Sequence, residues 1–134
     1  PMPIPDHIDI LGHFAQGGQM RLTVSTVIGL SPTEVDLFIF GTKGTLRILQ
    51  TKDTEIELFA GDKNAKQLER IMIEPEKKGK WRVEEEFVNA IRGTEEITHT
   101  DFTTALKYME WTDAVTISMQ TRELVPLPLS NGMR

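Results

Sequence analysis

The stretch GKWRVEEEFVNAIRG, residues 79 to 93, is where the periodicity of this chain changes. From Trp81 the apolar residues Val83, Phe87, Ala90 and Ile91 return at the three- and four-residue spacing of a helix face, and Gly93 stands where a helix takes its left-handed C-terminal residue. Glu84, Glu85 and Glu86 in its middle pose a choice between an acid/base cluster and the wet side of a packed helix. Consecutive residues lie about 100° apart around a helix, so three of them do not converge on one point. Carboxylates that share acid/base work face each other across a site. The trio is therefore read as a solvated face whose charge suits the helix dipole.

Upstream of this stretch the period is two. DHIDILGHF, residues 6 to 14, alternates with Ile8, Ile10 and Phe14 on one side and His7, Asp9 and His13 on the other. AQGGQ reads as a hairpin loop, and MRLTVSTVI resumes the alternation, with Met20, Leu22, Val24 and Ile28 against Arg21, Thr23, Ser25 and Val27. After the GLSPTE break, VDLFIFG turns through TKG into TLRIL, and TEIELFA and QLERIMI pair across GDKNAK. Six strands with short connections predict an antiparallel, meander-like sheet.

Downstream, a second helix is expected from Thr100 or Asp101, either one a good N-cap, through FTTALKYMEWTDAVTISMQ. It carries two apolar stripes, Phe102, Leu106 and Met109, and Tyr108, Trp111, Val115 and Met119, so it calls for neighbours on more than one side. LVPLPL, residues 124 to 129, is expected to close the chain as a short strand confined by its prolines to an edge. Strands over about residues 6 to 74, helices over about 80 to 121 and a final strand give a single α+β domain: an open-faced, mostly antiparallel sheet with two helices packed on one face. The other face is the informative one. VDLFIF puts Val35, Leu37 and Ile39 on one side and Phe38 and Phe40 on the other, and a large open apolar face in a water-exposed protein calls for a partner.

Composition narrows the function. At 134 residues the chain has room for one core, and 26% charged with 39% hydrophobic residues is ordinary for a globular protein. A net charge of −5 speaks against nucleic acid or an anionic membrane surface. The absence of cysteine removes disulfides, thiolate metal sites and a Cys nucleophile, and fits a reducing compartment, with the cytoplasm expected. No apolar run approaches the roughly 20 residues of a membrane span. Pro1 stands ahead of Met2, which suggests either an excised piece or residues added ahead of the natural start.

The chemical candidates have structural readings. His7 and Asp9 share a strand face roughly 6.6 Å apart, close enough to hold one metal, but His13 lies roughly 20 Å from His7 at the same rise. Alternating surface polarity accounts for them. His99 beside Asp101 is explained by the cap, and GTKGT, residues 41 to 45, by a hairpin turn, since a phosphate-cradling loop runs from strand to helix. Asp113, set among the apolar residues of the second helix, is expected to be buried and hydrogen-bonded to a loop or cap. No residue is assigned as catalytic, cofactor-binding or metal-ligating.

The order of features resembles the C-terminal domain of the Gfo/Idh/MocA family of NAD(P)-dependent oxidoreductases, which includes glucose-fructose oxidoreductase and inositol dehydrogenase. DHIDILGHFAQGGQMRLTVST resembles its "apolar strand, F-x-N-G, strand" hairpin, and IFGTKGTLRI its "GT-x-G-T-L" turn. WRVEEEFVNAIRG, followed by TDFTTALKYMEWTDAVTISMQTRELVPLPL, resembles its "E-x-x-F-x-x-A-I-x-G" helix, second helix and "V-x-L-P" ending. The likeness covers roughly residues 6 to 129 and rests on turn and packing signatures. It implies a parent with an N-terminal Rossmann domain that binds NAD or NADP, a Glu-Lys-Pro stretch with a catalytic Lys, and a downstream Asp and His; none of these lies within the 134 residues. The family's Asp/His pair precedes the hairpins, so His7 and His13 do not take that role. The domain itself would supply an oligomerisation sheet and one wall of a pocket for a sugar, polyol or similar hydroxylated molecule, inactive as an isolated fragment and without a cofactor of its own. Competing readings are a free-standing binding or assembly module of the same fold, and a small metal-dependent enzyme using His7, Asp9 or the glutamates.

Overall fold

The computed structural model describes residues 5–52, 54–98 and 101–130. Two compact units meet in sequence between Gly79 and Lys80, inside the stretch where the period changes. Among the described residues the regular elements of the first unit are strands and one 3-10 turn at Pro75–Lys77, and those of the second are helices, so the chain is α+β with antiparallel sheets.

In the first unit β1 (His7–His13) pairs with β2 (Gln19–Ser25), and β3 (Val35–Gly41), β4 (Gly44–Gln50), β5 (Glu57–Asp62) and β6 (Glu69–Ile71) follow one another in an antiparallel meander. The six strands thus form sheets of two and four rather than a continuous six. The division falls at residues 26 to 34. Thr26 donates its amide back to the Asp6 carbonyl, closing the hairpin on itself, and Leu30 takes a left-handed φ of 56° next to the Ser31-Pro32 pair. Such a segment breaks the ladder because Pro lacks a donor and a branched side chain resists positive φ.

The turns follow from the glycines that make them. Gly17 and Gly18 adopt φ of 86° and 96° in the β1–β2 loop. At the tight β3–β4 turn, a Cβ on Gly44 would lie 2.3 Å from the Gly61 carbonyl oxygen of the neighbouring β5, so only glycine fits there.

In the second unit α1 runs Val83–Ile91 and α2 runs Phe102–Thr121. Gly93 at φ 70° donates to the Ala90 carbonyl while Thr94 donates to that of Asn89, the paired closure of a Schellman C-terminus. Of the two N-cap candidates, Asp101 takes the role and accepts from the Thr104 amide at 2.6 Å; Thr100 lies outside the described residues. Among the described residues Ala114 and Leu129 are the buried apolar ones. No strand forms over residues 124 to 129. Pro126 and Pro128 remove two of the donors a ladder needs, and the Leu129 amide is instead held by the Glu110 carboxylate at 3.1 Å.

Candidate functional site

Register decides which side chains share each face of the four-stranded sheet, because directly paired residues point the same way. Leu37 pairs with Ile48, Ile39 with Leu46, Ile48 with Leu58, Leu46 with Ala60 and Leu58 with Ile71. Together with Val35 they make this face largely aliphatic from β3 to β6, with Gln50 opposite Val35 and Glu69 opposite Ala60 as its polar members. Ile39, on the edge strand β3, stays 51% exposed, and Val35, Leu37, Leu46 and Ile71 are exposed as well.

The opposite face is built differently. Phe38 pairs with Arg47, Arg47 with Phe59 and Phe59 with Arg70, so one rung crosses all four strands as alternating rings and guanidiniums. Arg47 donates from Nε and Nη2 to the two Asp36 carboxylate oxygens at 2.8 and 2.9 Å, and its guanidinium carbon lies 4.9 Å from the Phe38 ring centroid. Phe38 and Phe40 stack with centroids 5.5 Å apart, leaving Phe40 78% exposed. Glu57 pairs with Arg70 at 3.0 Å. The Arg47 hydrogen bond holds the Asp36 carboxyl below its ordinary value, and Asp36 raises Arg47 in return. Both cations are therefore matched within the sheet, and the face presents rings between neutralised pairs.

At one end of the aliphatic face an open hollow of about 760 Å³ lies between the β3–β4 turn and the β5–β6 loop. Ile39, Leu46 and Ala60 belong to its lining, together with Lys43, Asp62 and Gln67. The GTKGT residues thus form a strand-turn-strand hairpin that helps line the hollow, with no helix entering from it.

The glutamate trio divides. Glu84 accepts from Trp81 Nε1 at 2.7 Å and Glu85 pairs with Arg82 at 3.0 Å, both on the exposed side. Glu86 does not belong to the solvated face: only 2% exposed, it accepts from the Thr98 hydroxyl at 2.9 Å and from the Thr98 amide at 3.3 Å. Its position explains this. Val83, Glu86, Phe87 and Ala90 fall at i, i+3, i+4 and i+7, so Glu86 lies on the apolar stripe and not opposite it. Arg82 lies 4.0 Å from Glu86 and 3.1 Å from Glu95, which also accepts from Asn89 at 2.9 Å. Hydrogen bonding from Arg82 lowers Glu85, and bonds from Asn89 and then Arg82 lower Glu95. These contacts fasten the connector after α1 to the helix.

His7 and Asp9 stand 3.6 Å apart at the start of β1, with Thr23 from β2 donating to Asp9. That hydrogen bond is the main cause of the lowered Asp9 carboxyl. His13 is at the other end of the strand, and among the described residues no three His, Cys, Asp or Glu side chains gather to hold a metal. Asp113 is exposed on α2 rather than buried, as are its helix neighbours Met109 and Thr116. His99 lies outside the described residues.

Comparison with protein-family models, with curated proteins and with solved structures gives no match for this chain. Among the described residues no helix is long and apolar enough to cross a membrane. What the geometry offers is a surface: an aliphatic sheet face, a ring-and-guanidinium face behind it, and a hollow at one end.

Proposed function

We propose that this chain is the substrate-side and oligomerisation domain of an NAD(P)-dependent oxidoreductase acting on a sugar, polyol or similar hydroxylated molecule, working in the cytoplasm and inactive without a Rossmann partner. The observation that carries the reading is the aliphatic face of β3 to β6, half-exposed along its length. Contiguous apolar surface of that kind belongs to an interface, and a symmetric pair of such faces is self-complementary. Support also comes from the signature turns: GTKGT closes β3 on β4, and the glycine ending E-x-x-F-x-x-A-I-x-G closes α1 in its left-handed conformation. The exposed Tyr108 and half-buried Trp111 of α2 are the surface assigned to the Rossmann domain.

The cofactor belongs to that other domain, so the isolated chain should give no heat and no fluorescence change on titration with NADH. Saturable binding of NADH to this chain alone would overturn the assignment.

A further inference from the structure

We draw no further inference here: the strongest candidate, the rung Phe38, Arg47, Phe59 and Arg70 across the four-stranded sheet, has both guanidiniums already held by Asp36 and Glu57, and nothing in the structure shows what covers the rings between them.

Discussion

Glu86 is the residue whose environment departs furthest from its type. A carboxylate 2% exposed costs several kcal/mol unless its oxygens are satisfied, and here Thr98 supplies two donors. Replacing Glu86→Ala removes the acceptor of both Thr98 bonds; urea unfolding should show a loss of about 1 to 3 kcal/mol, against little change for Glu84→Ala on the exposed side. Gly44 and Gly93 make a second contrast. Gly44→Ala drives a methyl into the Gly61 carbonyl, whereas Gly93→Ala meets nothing within 4 Å and costs only the positive φ, about 1 kcal/mol. The urea midpoint should fall further for Gly44→Ala. Asp101 gives the pH dependence. Its bond from Thr104 places the folded pKa below the ordinary 3.8, so the cap's stabilisation is full above that value and is lost as pH falls through the lower folded one. The Thr104 amide resonance, followed by NMR, should titrate below pH 3.8, and Asp101→Asn should abolish that titration. Gly93 and the Asp101 cap were legible in the sequence because a local rule dictates each. Glu86 was not, since three like charges in a row mask the helical spacing that puts only the third on the apolar side.

At the scale of elements, the strands were legible from alternation and the helices from period, but the pairing between hairpins was not. Alternation says which way a side chain points and nothing about which strand lies alongside, so the separation of β1–β2 from β3–β6 at Pro32 appears only in the register. The segment 124 to 129 shows the same limit: apolar enough for a strand, it carries two prolines, and its last amide goes to Glu110. The candidate surface was visible in part. Val35, Leu37 and Ile39 could be placed on one side from the sequence, but the Phe38, Arg47, Phe59 and Arg70 rung draws on three separate strand pairings. A charge on the exposed edge strand β3 of the aliphatic face separates its roles. Ile39→Asp should leave the circular dichroism of the sheet intact, because the side chain is 51% exposed. Association should weaken at least tenfold, since one aliphatic contact worth roughly 1 to 2 kcal/mol is replaced by a buried charge. Unfolding of the variant would instead make the face part of the core.

The whole molecule is two compact units joined through residues 72 to 82, which are exposed almost throughout and contain Lys77, Lys78, Gly79 and Lys80. Brief trypsin treatment should cut there first, giving fragments that divide strands from helices. The first unit has no buried residue among those described. Strands without a buried residue gain little from burial, which is the physical reason to expect a covering partner. The most direct measurement is therefore the mass of the chain in solution by light scattering across a concentration series. The account predicts a dimer or larger assembly that Ile39→Asp returns to the monomer mass. A chain that stays monomeric at every concentration would contradict it.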